Sequence, residues 1–321
     1  MDESNIKKAS VKPINFIFKS IGIVILLILL SKIENKIIIN SLLKLKIKYI
    51  IIAIFITAPF FTIKIYRWVY ILKKVGIQYS FLNGLKTYGA GLFSGQVTPG
   101  QLGELIRSVF MSRKGYDLGL TMGTVIFERS LDLILLLILA LPGVILFLDK
   151  EVNLSSDIYL LFIIFFIFVY FLIKRFKVVK QLSKSKYFNK IFFKIKINAD
   201  YLKNILADKK ALSLIISMTI LAFLVNIIRF HFLSLSLGID IKISDFIFGI
   251  AFVSIVGLIP ISIAGIGTRD AAMVLFFSNT GHHPEQAVAF SMLILIVGYG
   301  MNIIWGFPCW WLESKQSVLE S

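Results

Sequence analysis

Three short runs carry the residues that could do chemistry. The first is Thr98-Pro99-Gly100-Gln101-Leu102-Gly103-Glu104-Leu105-Ile106-Arg107. Proline and glycine suit a chain reversal followed by a new helix start. A helix that begins inside a membrane presents free N–H groups and a positive dipole end, which seat a phosphate well. Glu104 and Arg107, three residues apart, share one helical face and can pair with each other or with another part of the chain. A plainer reading also fits: Glu104 steadies the helix start and Arg107 snorkels to the surface.

The second run is Glu128-Arg129-Ser130-Leu131-Asp132, inside a long apolar segment. Glu128 and Asp132 are four apart, so they also share a face. An ionisable side chain at membrane depth costs about 2.5–3.5 kcal/mol on insertion scales, and it normally faces a bundle interior or a wet cavity. Arg129 can serve an internal ion pair with Glu104 or Asp132, or touch a substrate directly. The third run is Pro260-Ile261-Ser262-Ile263-Ala264-Gly265-Ile266-Gly267-Thr268-Arg269-Asp270. Its small residues allow close backbone approach. Arg269 offers a second guanidinium for an anionic headgroup, or a simple surface pair with Asp270. Arg229 and His231 are further candidates, and His282-His283 reads as a solvated loop.

The elements that must position these runs are membrane helices. The chain has 321 residues, 57% of them hydrophobic, and a mean hydropathy of +0.85; soluble domains sit near 45–50% apolar. A crossing takes about 20 apolar residues, which marks spans at 14–31, 48–70, 119–148, 157–174, 211–237 and 286–312. Two more apolar pieces, 84–112 and 246–278, are broken at Thr98–Gly100 and Pro260–Gly267. Irregular backbone at membrane depth survives only where protein or a water-filled cavity surrounds it. The expectation is an all-α polytopic membrane protein with about eight hydrophobic segments: six full spans and two broken or re-entrant helical hairpins. Lysines 7, 8 and 12 precede the first apolar run, and no small-residue cleavage site follows it, so an uncleaved first span is expected.

Charge sets the expected orientation. The formal net charge is +17, but the lysines border apolar spans, as beside anionic lipid, and no nucleic-acid partner is implied. Residues 174–210 hold twelve Lys/Arg and two acids, so they belong inside. The stretch 176–206 reads as a basic amphipathic helix on the inner leaflet, with Phe188, Ile191, Phe192 and Ile195 on one face. Both termini are expected in the cytoplasm of a multi-pass cell-membrane protein; the loop 32–47, with four lysines and one acid, then falls outside, against the trend. The plan divides the chain into 1–148, a membrane repeat with the hairpin 84–112, and 149–312, a second with the basic segment 175–210 and the hairpin 246–278. Residues 313–321 form a short tail. Each repeat crosses three times, which inverts the second. Gly95/Gly257, Gly103/Gly265 and Arg107/Arg269 each stand 162 apart, and inverted repeats with broken helices at the midplane are a recurrent transporter plan.

The sequence contains no G-x-x-x-x-G-K-[ST] phosphate loop, H-E-x-x-H, G-x-S-x-G or D-x-D motif, so catalytic residues, metals and cofactors are not expected. A single cysteine, Cys309, forms neither an internal disulfide nor a cysteine metal cluster.

G-x-x-T-P-G-x-x-G-E-x-x-R, then F-E-R-x-x-D, then P-x-S-x-A-G-x-G-x-R-(D/E), in this order, resembles the lysylphosphatidylglycerol synthase transmembrane-region family of flippase-like integral membrane proteins. By position the resemblance marks Thr98, Pro99, Gly100, Gly103, Glu104, Arg107, Glu128, Arg129, Asp132, Gly265, Gly267 and Arg269, with Asp270 where Glu is more usual. It implies movement of an anionic or aminoacylated phospholipid, or a glycolipid, between leaflets. The alternative it implies is the membrane component of a lipid-modifying enzyme working with a lipid-synthesising partner. The phosphatidylglycerol lysyltransferase name attaches to two-part relatives with a soluble transferase domain, and this sequence shows no such domain.

Overall fold

A computed structural model describes residues 25–28, 31, 35–98, 100–148, 204–259, 262 and 265–319. Most of the expected spans 14–31 and 157–174, and the basic amphipathic stretch up to residue 203, lie outside the described residues.

Every described element is helical. In chain order they are α1 (Asn35–Leu43), α2 (Ile47–Lys74), α3 (Phe81–Gln96), a 3-10 turn (Leu102–Leu105), α4 (Ile106–Arg113), α5 (Leu118–Leu148), α6 (Lys209–Ser236), α7 (Ile243–Gly257), α8 (Thr268–Asn279), α9 (Pro284–Leu293), a π-turn (Ile294–Tyr299) and α10 (Gly300–Leu319). Three helical stretches among the described residues are long and apolar enough to cross a membrane: Ile47–Lys74, Lys209–Ser236 and Pro284–Lys315. Helix α5 has the length too, at 31 residues. The segment 32–47, read from sequence as a loop, contains α1, whose Ile38 packs against Val288 and Ala289 of α9.

Local chemistry sets the ends. The Ser80 hydroxyl accepts from the Asn83 N–H and starts α3. Asp208 does the same for Ala211 at the start of α6, and it also pairs with Lys74 at 2.8 Å. Both partners hold the Asp208 carboxyl below its usual range, the Lys74 hydrogen bond most. Prolines 59, 142 and 308 sit inside helices, where packed neighbours in a membrane bundle re-satisfy the freed backbone.

Helix α2 lies along α6, α3 along α10, and α7 along α5. The α3–α10 contact depends on small residues: a β-carbon on Gly306 would stand 2.7 Å from the Gly89 carbonyl oxygen, the close approach typical of helices associating in lipid. One apolar core surrounds Phe61, Trp68, Tyr79 and Tyr88. A second, around Phe230, Phe246, Phe276 and Phe290, reaches back to Ala53 of α2. The outward faces stay apolar as well; Phe55 is 74% and Ile304 68% exposed, which suits hydrocarbon and not water.

Candidate functional site

The first and second runs meet. Glu104 in the 3-10 turn, Arg107 in α4, and Glu128, Arg129 and Asp132 in α5 form one cluster with Lys64 and Arg67 of α2. Arg67 is its hub: Nη2 donates to Glu128 Oε1 at 2.8 Å, and Nη1 donates to Asp132 Oδ1 at 2.6 Å and to Thr219 Oγ1 at 2.8 Å. Glu128 turns its other oxygen to Arg107 Nη1 at 2.9 Å, and the Tyr88 hydroxyl donates to Oε1 at 3.3 Å. Arg107 also reaches Glu104 at 3.4 Å, and its guanidinium lies over the Trp68 and Tyr88 rings at 4.8 and 4.4 Å. Arg129 pairs with Glu104 and stands 3.9 Å from Asp132, while Lys64 reaches Asp132 at 3.2 Å.

Burial divides the cluster. The side chains of Arg67, Arg107 and Glu128 are sealed from solvent, whereas those of Arg129 and Asp132 are 28% and 21% exposed. Arg107 therefore does not snorkel to a surface. With all groups ionised, four cations (Lys64, Arg67, Arg107, Arg129) face three carboxylates (Glu104, Glu128, Asp132), leaving one positive charge over.

The turn before Arg107 is tightly built. Gly100 and Gln101 take left-handed backbone, with φ of 60° and 57°. Pro99 lies outside the described residues. The Thr98 hydroxyl accepts the Gly103 N–H at 2.7 Å and donates to the Ser94 carbonyl at 3.0 Å. One of the N–H groups at this helix start is thus taken and does not face an anion. Gly95 lies against the Glu104 side chain and Gly91 against Arg107.

The third run forms a separate group. Gly265 and Gly267 are left-handed, with φ of 74° and 85°, and a Gly265 β-carbon would meet Gly257 at 3.2 Å. Asp270 accepts the Gly267 N–H at 2.8 Å through one oxygen; the other takes Arg269 Nη2 at 3.1 Å and the Ser291 hydroxyl. Arg269 Nε donates to Ser291 Oγ at 3.2 Å, and its guanidinium lies 5.2 Å from the Tyr299 ring. The Arg269–Asp270 pair is buried, not superficial. Among the described residues it shares no partner with Arg107.

A third polar group ties α10 to the loops. Glu313 accepts from Lys114 Nζ at 2.8 Å and from Thr87 Oγ1 at 2.9 Å, and Tyr79 joins Thr87 at 2.7 Å. Burial is the largest single influence and works against the Lys114 charge, but Glu313 and Tyr79 together outweigh it and hold the ammonium above its ordinary 10.5. That contribution is present below 10.5 and fades only as pH rises through the raised value, so neutral pH leaves the clasp intact.

Sequence reasoning missed Lys64, Arg67, Thr219 and the Glu313 clasp. The signal for Arg67 was available: it is an ionisable group inside an apolar span, and Arg229 follows it by the same 162 residues that separate Arg107 from Arg269. No group of three His, Cys, Asp or Glu placed to hold a metal occurs among the described residues.

The chain is 25% identical over 296 residues to UPF0104 membrane protein MJ1595 of Methanocaldococcus jannaschii, covering 84% of this chain and 86% of that one. It is 24% identical over 236 residues to UPF0104 membrane protein MJ1078 of the same organism, covering 71% and 97%. No solved structure matches. The profile of the lysylphosphatidylglycerol synthase TM region matches residues 17–306, nearly the whole chain and all three motif runs, so this multi-pass membrane protein belongs to that family.

Proposed function

We propose that the protein carries an anionic or zwitterionic lipid headgroup between leaflets, through a polar cleft between two oppositely oriented halves. Phosphatidylglycerol or its aminoacylated form is the favoured cargo, with a glycolipid as the wider class. The observation that carries the reading is the seven-charge cluster, placed where helices long enough to cross a membrane converge and short of one negative charge. Buried charge is expensive, and in membrane helices it marks a substrate path more often than a scaffold. Arg129, Asp132 and Lys64 form the accessible edge that a headgroup meets. Arg107 and Glu128 hold that edge in place, and Arg269 with Asp270 supplies the second half's contribution. Thr98, Gly100, Gly103, Gly265 and Gly267 shape the hairpin tips beside it.

The helix pairing supports two related halves. If α2 corresponds to α6, α3 to α7 and α5 to α10, then exchanging the halves maps the α2–α6 contact onto itself and the α3–α10 contact onto α7–α5. In this plan the hairpins α3–α4 and α7–α8 enter from opposite faces of the cell membrane, with both termini in the cytoplasm. Moving one net positive charge outward against 100 mV costs about 2.3 kcal/mol, so a lysylated lipid needs a gradient or a coupled ion, whereas phosphatidylglycerol does not.

Sidedness is testable in a Cys309→Ala background. Arg113→Cys, at the exposed end of α4, and His283→Cys, exposed just before α9, are expected to react with an impermeant maleimide from opposite faces of sealed vesicles. Labelling of both from one face would remove the inverted plan. Translocation itself is read in vesicles carrying fluorescent phosphatidylglycerol, where dithionite should bleach the inner-leaflet label faster with the protein than without it. Equal rates would remove the transport reading. The family's name favours one other reading, a membrane component serving a separate lipid-modifying transferase; that reading predicts equal rates and a co-purifying enzyme.

A further inference from the structure

Arg229 is a buried cation that the cluster above does not use. It sits within α6, 6% exposed, with its guanidinium 5.0 and 4.9 Å from the Phe60 and Phe230 ring centroids. Nη2 donates to Asn226 Oδ1 at 2.7 Å, while Nε and Nη1 have no partner among the described residues. Among the described residues no carboxylate pairs with it. A guanidinium stays charged at every physiological pH and carries five donors. Leaving that charge buried and unpaired is costly.

The contrast with the other half sharpens the anomaly. Arg67, 162 residues earlier, is neutralised by Glu128 and Asp132. The positions 162 after those acids hold Phe290 and Ile294, so the arginine persists where its acids do not. Arg229 abuts the π-turn: its Nη2 lies 3.9 Å from where a Gly298 β-carbon would stand. Arg269 approaches the next residue, lying over the Tyr299 ring, and its Nη1 also lacks a partner among the described residues. Two arginines thus approach the neighbouring residues Gly298 and Tyr299, and among the described residues Asp270 is the one carboxylate that pairs with either. Single π-turns within α-helices recur at functional sites.

We propose that Arg229 and Arg269, beside Gly298 and Tyr299, form a second anion site that takes a phosphate-type oxyanion. The planar fork of each guanidinium fits two oxygens of such a group. A phosphodiester headgroup and free phosphate share this chemistry. The lipid source rests on the transport reading; binding itself does not.

The test uses the purified full-length protein in maltoside detergent, following thermal unfolding by tryptophan fluorescence while titrating dihexanoyl-phosphatidylglycerol or inorganic phosphate. Wild type is expected to bind at least one probe. Arg229→Met should weaken that binding at least tenfold, yet melt at or above the wild-type temperature without ligand, because a buried unpaired charge has gone. Arg269→Gln should weaken the same probe, and Arg229→Lys should recover part of the affinity. Binding of the lipid but not phosphate assigns a headgroup site, and the reverse assigns a free-phosphate site. Three results overturn the proposal: wild type binding neither probe, unchanged affinity in Arg229→Met, or ligand-free Arg229→Met melting well below wild type. Arg229-dependent binding without translocation in vesicles would sink the transport reading and leave this site standing. Translocation with Arg229-independent binding would do the opposite.

Discussion

Glu128→Gln is expected to destabilise the protein by about 3–5 kcal/mol, the cost of breaking a buried ion pair by removing one partner. Glutamine keeps the shape, so the effect is electrostatic. Glu128 is sealed from solvent and bonded to Arg67 at 2.8 Å and Arg107 at 2.9 Å. Its loss turns four cations against three carboxylates into four against two. Detergent melting followed by circular dichroism reads the loss. The double variant Glu128→Gln/Arg107→Gln restores the original excess of one, so the two changes should fall short of additive by about 1–3 kcal/mol. Additive effects would mean that Glu128 packs rather than neutralises.

Gly103→Ala is expected to cost about 3 kcal/mol or more, at the upper end of what overpacking a tight contact does. The new β-carbon would stand 2.0 Å from the Ser94 carbonyl oxygen, 2.4 Å from its carbon and 2.7 Å from Thr98 Oγ1. Two of those atoms are backbone and cannot swing away. The turn must open, which carries Glu104 away from Arg107 and Arg129. Gly115→Ala is the control: it lies at φ of 87° with nothing within 4 Å of the new carbon, so it carries only left-handed strain, about 1–2 kcal/mol. Thermal unfolding of the two variants side by side checks this. A Gly103→Ala protein no less stable than Gly115→Ala would contradict the tight turn.

Hydropathy and motif spacing made the helical membrane character and the family legible, because both rest on residue types along the chain. The cluster was only half legible. Glu104, Arg107, Glu128, Arg129 and Asp132 stand in polar runs that announce themselves. Lys64 and Arg67 are embedded between Ile63, Ile65 and Trp68, and a hydropathy average absorbs them into an ordinary span. Which acid neutralises which arginine depends on three helices converging, information that no local spacing holds. The π-turn at Ile294–Tyr299 was equally hidden, since its residues read as plain apolar helix. Glu313 was missed because it sits near the chain's end, where sequence reading saw a tail; the fold brings it against Lys114 and Thr87.

The cluster also changes how transport should be probed. Arg107 lies against the Trp68 and Tyr88 rings and anchors Glu104 and Glu128, so truncating it perturbs the fold and the path together. Among the described residues Arg269 has one carboxylate partner and an unpartnered nitrogen, which makes it the cleaner probe. The most direct measurement is dithionite bleaching of fluorescent phosphatidylglycerol in vesicles holding equal amounts of wild-type protein or Arg269→Gln, each verified folded by its melting curve. The account predicts that wild type exposes inner-leaflet label well above the protein-free rate and that Arg269→Gln is at least tenfold slower. Wild-type vesicles no faster than protein-free ones, or equal rates for wild type and Arg269→Gln, would contradict it.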